Sequence, residues 1–431
     1  MPDPFGTHHS KIMILFRHDE TAQIIIHTAN MIYRDWTNMT QAVWSSPLLP
    51  LRALKKSSGG AADDIGHPIG NGKRFQTDLI QYFAAYERRT KDLISQLQDY
   101  DFSAIKAAFI GSAPSRQKPG AADPSKKTSF GWPGLKEILS QVSIPSQVDA
   151  TSPPHIVTQI SSIATLGAQP TWITHFHGVL AQEPSDSKVM TNHLPKSRKT
   201  HSIFSKRELT RPKPAKFSVI FPTPEEIRSS LDGYASGGSI HWKLQSPQQQ
   251  KQLEYMHPWL CHWNPPPTSN LQDGNRNSHR GLAAPHVKTY IRFSDEEENT
   301  IDWAMITSAN LSRQAWGDVV NKKEEVWIQS WEAGVVVWPA LFDEAVEGVE
   351  SAGAIMVPVF GKNLPVTGDI PQIHHAGTAA DNCGGKLPAT FVGLRMPYNL
   401  PLHQYAADEK PWCATMKYGE PDWKGQTWEG Y

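Results

Sequence analysis

Cysteine is scarce. Cys261, Cys383 and Cys413 stand far apart with no CxxC spacing, which argues against a disulfide framework or a thiolate zinc site and fits a reducing interior. All three read as buried or incidental thiols. Long apolar runs are missing too. No stretch reaches the roughly 20 residues a membrane helix needs, and the opening Met1-Pro2-Asp3-Pro4-Phe5-Gly6 lacks the charged and apolar regions of a signal peptide. A soluble, intracellular protein is expected. There is also no excess of charge of one sign: 42 Lys plus Arg balance 42 Asp plus Glu. No global field draws the chain to nucleic acid, so any such binding must come from local patches. At 431 residues the chain exceeds the size at which one core keeps growing, and two packed units are expected.

Periodicity predicts a β-hairpin almost at residue one. Lys11 to Phe16 and Gln23 to Thr28 are apolar and β-branched, and the polar turn Arg17-His18-Asp19-Glu20-Thr21 separates them. A Gly/Ser/Lys/Asp loop from Ala53 to Arg74 leads into one helical stretch from about Gln76 to Asp99, then a short strand at Ala107 to Ile110. Ser112 to Ser129 and the longer, basic Glu183 to Lys216 read as exposed insertions. Phe217 to Phe221 is a strand. Thr223-Pro224-Glu225-Glu226 is a capping box with proline at the first helical position. Asp302 to Ser308 is a strand leading into a helix near Leu311. Strands alternating with helices imply a mixed α/β architecture with largely buried sheets.

Within this pattern lies a weak internal repeat. His9-Ser10-Lys11 is echoed by His286-Val287-Lys288, and Thr28-Ala29-Asn30-Met31 by Ser308-Ala309-Asn310-Leu311. Asn30 lies 21 residues after His9, and Asn310 lies 24 after His286. In both copies a tryptophan, Trp36 or Trp316, falls six residues after the asparagine. Gln41-Ala42 and Glu332-Ala333 then each set a hydrogen-bond acceptor before alanine. An apolar repeat would speak only of packing, whereas this one preserves histidine, lysine and asparagine.

Residues two apart on a strand point to one face, so each His-x-Lys pair projects together, about 6 to 7 Å apart. Each half then supplies a nitrogen base, a cation and an amide. Facing one another across a pseudo-twofold axis, the two sets would surround one phosphodiester with imidazoles on opposite sides. One histidine attacks phosphorus to form a phosphohistidine; the other protonates the leaving oxygen and later activates water. Lys11, Lys288, Asn30 and Asn310 would hold the non-bridging oxygens, each such donor worth on the order of 3 to 4 kcal/mol in the transition state. The scheme calls for neither a metal nor another cofactor.

On these residues the chain resembles the phospholipase D superfamily, and within it the tyrosyl-DNA phosphodiesterase branch. In the superfamily pattern HxK is followed, after four intervening residues, by aspartate; here Phe16 and Phe293 stand there, which disfavours a phospholipase and matches the DNA-repair branch. Phe5-Gly6-Thr7-His8-His9-Ser10-Lys11, Ile26-His27-Thr28-Ala29-Asn30 and Thr307 to Ser312 with Ala315-Trp316-Gly317 are similar to that branch's motifs. So are Glu332 to Val335, Gln159 to Ser162 with Leu166-Gly167, Gly233-Tyr234 with Gly237-Gly238-Ser239, and Pro411-Trp412. The resemblance implies two similar phospholipase D-like α-β-α sandwich domains related by a pseudo-twofold axis, residues 1–105 and 106–431, the second carrying the loop insertions.

It further implies hydrolysis of the bond between a tyrosine, left by a stalled type IB topoisomerase, and a DNA 3′ phosphate, with other 3′ adducts also accepted. His9 would be the nucleophile and His286 the general acid and base. Gln41 and Glu332 would orient the imidazoles, the pairing left open. Ser161, Ser162, Ser239, Ser308, Ser312 and Arg313 would contact DNA, and Phe5 and Trp412 would stack on bases or substrate peptide. The partner would be a single- or double-stranded DNA 3′ end in the nucleus, met by a monomer with no obligatory protein partner and no membrane. In the family a sizeable stretch precedes the first HxK motif, whereas eight residues precede His9 here. The first domain is therefore expected to be incomplete. A catalytically inactive DNA-binding remnant is the alternative, with a lipid phosphodiesterase third.

Plainer readings compete at several positions. Asn30 and Asn310 could be helix N-caps, and Trp36 and Trp316 are expected in the core. His175-Phe176-His177 and His374-His375 lack carboxylate or cysteine at ligand spacing and are expected to be surface or core histidines rather than metal ligands. Between Lys188 and Lys216 a basic run includes Lys196, Arg198, Lys199, Lys206, Arg207, Arg211 and Lys213. It reads first as a solvated loop, with a nucleic-acid contact or nuclear localisation signal as the second reading.

Overall fold

The computed structural model describes residues 6–52, 66–120, 127–144, 152–182, 214–264, 276–343, 353–366, 369 and 390–431. Its first sheet grows from the hairpin expected at the start. Ile12–Phe16 runs antiparallel to Thr21–His27, in register from Ile12 opposite Ile26 to Phe16 opposite Ala22. Asp19 closes the turn by accepting from the Thr21 hydroxyl at 2.6 Å. Val43–Ser45 and Leu49–Pro50 complete the sheet along Thr21–His27. The alternating Ala22, Ile24 and Ile26 are buried against Phe75, Leu79 and Tyr82, as a period of two requires of a sheet covered on one face.

Those last residues lie on Gly72–Ala84, a helix that begins earlier than its periodicity suggests. Asn71 caps it, accepting from Lys73 N at 2.8 Å. Gly72 is needed there, because a Cβ would sit 1.8 Å from the Phe102 carbonyl oxygen. The single helix expected from 76 to 99 is in fact two. Glu87 takes a positive φ of 60°, a 3₁₀ turn spans Glu87–Thr90, and Lys91–Gln98 resumes the helix. The break delivers Tyr86 onto Trp331, ring centroids 3.7 Å apart, so a tertiary contact overrides local propensity.

Among the described residues the second sheet has nine strands. Leu260–Cys261, Lys216–Ile220 and His155–Gln159 run parallel. The helices Thr171–Ala181 and Pro247–Met256 supply the crossovers that parallel neighbours need. Thr289–Phe293, Ile301–Thr307, Glu332–Val337 and Ala108–Ser112 continue it antiparallel. Ala354–Val359 and Thr390–Arg395 pair in parallel at its side. Thr289–Phe293 and His155–Gln159 are buried throughout, although each carries polar side chains, among them Arg292, His155 and Gln159, inside the core. Across two strands Arg292 Nε meets Asp302 Oδ2 at 2.7 Å inside the core.

One strand pair belongs to both cores. Ala108 and Val336 face the helices Gly131–Leu139 and Thr171–Ala181, whereas Phe109, Ala333 and Val335 point into the core of the first sheet. The capping box at Thr223 forms, with Glu226 N to Thr223 Oγ1 at 3.2 Å and Thr223 N to Glu226 Oε2 at 2.7 Å. The helix expected near Leu311 is the short Arg313–Trp316. The loop expected from Ser112 contains a strand, Ser115–Gln117, paired with Val326–Ile328. Cys261 and Cys413 are buried free thiols, and burial pushes Cys261 up to about 11. Cys383, Phe5, His374, His375 and the basic residues from Lys188 to Lys213 lie outside the described residues. No described helix is long and apolar enough to cross a membrane.

Candidate active site

An antiparallel hairpin puts the start of its first strand beside the end of its second. Each His-x-Lys triplet therefore meets its own asparagine, although more than 20 residues separate them in the chain. His9 and Lys11 precede Ile12–Phe16 while Asn30 follows Thr21–His27; His286 and Lys288 precede Thr289–Phe293 while Asn310 follows Ile301–Thr307. The lysine carbonyl in each half accepts from the partner strand, His27 N at 3.1 Å and Thr307 N at 3.2 Å. Each lysine also folds back on the histidine before it: Lys11 Nζ donates to His9 O at 2.5 Å and Lys288 Nζ to His286 O at 2.6 Å.

The repeated tryptophans and alanines now acquire a purpose. Trp36 Nε1 donates to Asn30 O at 2.8 Å, and Trp316 Nε1 to Asn310 O at 3.0 Å. Thr28 N donates to Ala42 O at 3.1 Å, and Ser308 N to Ala333 O at 2.9 Å. In return Ala42 N and Ala333 N each donate at 3.0 Å to the Thr28 and Ser308 hydroxyls. Those hydroxyls reach Gln41 Oε1 at 2.8 Å and Glu332 Oε2 at 2.5 Å. The same cradle is thus built twice.

Backbone bonds then cross between the halves. His9 N donates to Trp331 O at 2.9 Å and His286 N to Thr40 O at 3.0 Å, so each histidine is docked on the segment preceding the other half's acceptor. Glu332 Oε1 lies 3.3 Å from His9 Nδ1, and Gln41 Nε2 lies 3.4 Å from His286 Nδ1. That answers the pairing left open above. A residue not anticipated from the sequence joins them: Asp35 Oδ2 is 3.1 Å from His286 Nδ1 and accepts from Asn30 N at 2.6 Å. Its counterpart in the repeat is Ala315, so comparing the halves conceals it. The one available signal was a carboxylate directly before Trp36.

These groups open on a cavity of about 270 Å³ lined by both His-x-Lys pairs, Asn30, Asn310, Ser161, Ser162, Ser239, Ser308 and His241. Asn310 Oδ1 accepts from Ser161 N at 3.0 Å and Ser162 N at 2.9 Å, which leaves its amide N–H groups for the cavity. Neither asparagine is an N-cap; Ile32 and Ser312 hold those positions. Asn30 Nδ2 and Lys288 Nζ approach His286 Nε2 at 3.4 and 3.1 Å. Burial, reinforced by the Lys288 and Lys11 charges, holds the His286 imidazole well below its ordinary value. Burial and the Lys11 charge do the same to Lys288, against the pull of Glu332 and Asp35. An unpaired positive charge is costly in so crowded and dry a place. An anion bound in the cavity would supply counter-charge and favour the protonated forms.

Several expected contacts fall elsewhere. Trp412 has no exposed surface and cannot stack on a base or peptide. It is packed on Tyr418 at 4.7 Å and donates to Gly237 O and Ile240 O at 3.1 Å, so it braces the wall that carries Ser239. Ser308 does line the cavity, with its hydroxyl engaged by Glu332. Ser312 caps its helix through Ala315 N at 3.2 Å, Arg313 pairs with Asp318, and neither lines the cavity. Trp316 is 1% exposed, but Trp36, expected in the core, is 53% exposed. His177 lies flat on Phe217, centroids 3.7 Å apart, and burial pushes it down to about 3. His175 packs edge-on against Trp132 at 4.5 Å. Among the described residues no three His, Cys, Asp or Glu are grouped to hold a metal.

Two histidines line one cavity, each with a buried carboxylate at its Nδ1 and flanked by lysine and amide donors, an arrangement suited to binding a phosphodiester anion. Residues 1–406 match the sequence model described as tyrosyl-DNA phosphodiesterase, and the chain belongs to that family. The probable tyrosyl-DNA phosphodiesterase of Schizosaccharomyces pombe is 28% identical over 478 residues, covering 98% of this chain and 77% of that protein. The probable enzyme of Caenorhabditis elegans is 28% identical over 433 residues, covering 99% and 72%. Tyrosyl-DNA phosphodiesterase 1 of Drosophila melanogaster is 28% identical over 426 residues, covering 97% and 59%. The fold, phospholipase D-like, matches the crystal structure of yeast tyrosyl-DNA phosphodiesterase with a TM-score of 0.58 at 22% identity, over 95% of this chain and 78% of that one. An alanine-for-histidine mutant of the yeast enzyme matches at 0.61 and 20%, over 96% and 78%.

Proposed function

We propose that this chain is a phosphoric diester hydrolase of DNA repair that severs the bond between a DNA 3′ phosphate and a tyrosine through a phosphohistidine on His9. The observation that carries this reading is the crossed support of the two imidazoles, Glu332 on His9 Nδ1 at 3.3 Å and Asp35 on His286 Nδ1 at 3.1 Å. A carboxylate that accepts from Nδ1–H keeps the Nε2 lone pair of His9 free to attack.

In the first step the bond from His9 Nε2 to phosphorus forms and the bond from phosphorus to the tyrosine oxygen breaks, with a proton passing from His286 Nε2 to that oxygen. In the second, now-neutral His286 takes a proton from water, the water oxygen bonds to phosphorus, and the bond to His9 breaks. The DNA leaves with a 3′ phosphate, and both histidines return to their starting states. Lys11, Lys288, Asn30 and Asn310 steady the charge on the non-bridging oxygens. Both sets of groups come from one chain, so a monomer suffices. Other small 3′ adducts would react by the same route, on single- or double-stranded ends, and the nucleus is the compartment this reading proposes.

The test is release of 3′-phosphate product from a 3′-phosphotyrosyl oligonucleotide, with and without EDTA. The expected result is turnover that the chelator does not change, its loss in His9→Ala, and a covalent protein–DNA species that accumulates in His286→Asn and is visible by mass. A fully active His9→Ala protein would overturn the proposal. A folded wild-type protein that binds DNA ends without cleaving them would favour the binding remnant, and turnover of vesicle phospholipid alone would favour the lipid enzyme.

A further inference from the structure

One imidazole in the cavity has no part in the displacement. His241 lies on the short strand His241–Trp242, which pairs in parallel with Ser162–Ile163. Its backbone N–H donates to Ser161 O at 2.8 Å. The side chain lines the same cavity as Ser162 and Ser239, and the Tyr431 hydroxyl bonds its Nδ1. Tyr431 is itself propped: its ring meets Trp428 at 5.9 Å, and Trp428 meets the buried Trp412 at 5.4 Å. A relay of aromatic rings thus runs from the core to this one imidazole.

Resting on the reading of the site as one for DNA 3′ ends, we propose that His241, oriented by Tyr431 and flanked by Ser162 and Ser239, seats the phosphate one nucleotide upstream of the scissile one. In-line displacement sends the tyrosine out on the His286 side, which is bordered by the helix carrying Asp35. His241 stands on the wall of Ser161 and Ser162, and the charges bearing on it are those of His9, Lys288 and Lys243. What passes along that wall is the strand the enzyme keeps. In the proposed tautomer the phenol donates to Nδ1, and the ring carries its proton on Nε2 and offers the cavity an N–H. His241 keeps exposed surface, as does Tyr431 at 63%; partial desolvation at the mouth of the cavity, then those three charges, shifts the imidazole below its ordinary value. A neutral imidazole is a less costly group to desolvate against phosphate than a third cation, and Lys243, two residues on, completes an electropositive rim.

The test is binding rather than turnover. Fluorescence anisotropy would follow a single-stranded oligonucleotide ending in a 3′ phosphate, with either a native or an uncharged methylphosphonate linkage before the last nucleotide. The probe is the reaction product, so failure to cleave a tyrosyl substrate would defeat the functional reading and leave this measurement intact. His241→Ala should weaken the native strand about ten- to hundredfold, as expected for a hydrogen bond to a charged group. Methylphosphonate should cost the wild type a similar factor, and the variant and the modified linkage together should cost no more than either alone. Tyr431→Phe, which removes one hydroxyl, should give a smaller loss of the same pattern, and His241→Asn should recover part of it. Equal weakening of both strands by His241→Ala, or wild-type indifference to the methylphosphonate, would overturn the proposal.

Discussion

Asp35 Oδ2 at 3.1 Å and Gln41 Nε2 at 3.4 Å compete for His286 Nδ1. Gln41 Oε1 is engaged by the Thr28 hydroxyl at 2.8 Å, so the amide turns a donor toward the ring and cannot accept the Nδ1 proton. The carboxylate within ion-pairing reach of Nδ1, and so the acceptor for its proton, is Asp35. Asp35→Asn should therefore lower kcat by about ten- to hundredfold, the worth of one hydrogen bond to a charged acceptor, and Gln41→Ala by less. Single-turnover kinetics would separate the steps. The Asp35 variant should slow breakdown of the phosphoenzyme, because His286 is then poorly held to activate water. Glu332→Gln should instead slow its formation. Equal effects of the two on both steps would contradict the division of labour.

At the scale of the element, the twice-built cradle is one device in two environments. Trp316 is buried and its indole satisfies the Asn310 carbonyl; Trp36 makes the same bond to Asn30 at the surface. Trp316→Phe strands a buried carbonyl and should cost about 1 to 3 kcal/mol, seen as a lower denaturation midpoint. Trp36→Phe should change stability by no more than about 0.5 kcal/mol and register in kcat instead, since water can serve the freed carbonyl but not position Asn30. The kinked helix obeys a related logic. Tyr86 leaves the helix to stack on Trp331 and to hydrogen-bond His8 Nε2 at 2.9 Å, which steadies the chain just ahead of His9.

Over the whole molecule, buried imidazoles tie stability to pH. His177 is held down to about 3, and His286 moves the same way through burial first. The unfolded chain takes up these protons near pH 6.5, while the fold refuses them. Below that pH the unfolded state binds more protons, and acid destabilises the protein by about 1.4 kcal/mol per pH unit for each such site. The thermal unfolding midpoint should therefore fall as pH drops through this window, down to about 3 for His177. His177→Phe, which keeps a ring against Phe217, should flatten the profile, and an unchanged slope would assign the acid sensitivity elsewhere. Because Glu332–Val337 faces both cores, the two halves should lose structure together in these scans.

What the sequence determined by itself was the grouping of the polar side chains. A histidine and lysine two apart, an asparagine just past the next strand and a tryptophan six further on are local relations, and hairpin geometry turns them into a cluster without help from the rest of the chain. The strands followed for the same reason, since burial on one or both faces writes its period into the residues. What the tertiary structure alone decided involves partners far apart in the chain. Gln41 and His286 are 245 positions apart, and nothing in either segment says that each acceptor serves the other half's imidazole. Asp35 was hidden because its repeat partner is Ala315, and Trp412 looked free to stack until its burial was known. His241 carries no local mark of function. It reaches the cavity only because its strand pairs with Ser162–Ile163 and Tyr431 closes on its ring, contacts that packing creates and periodicity does not encode.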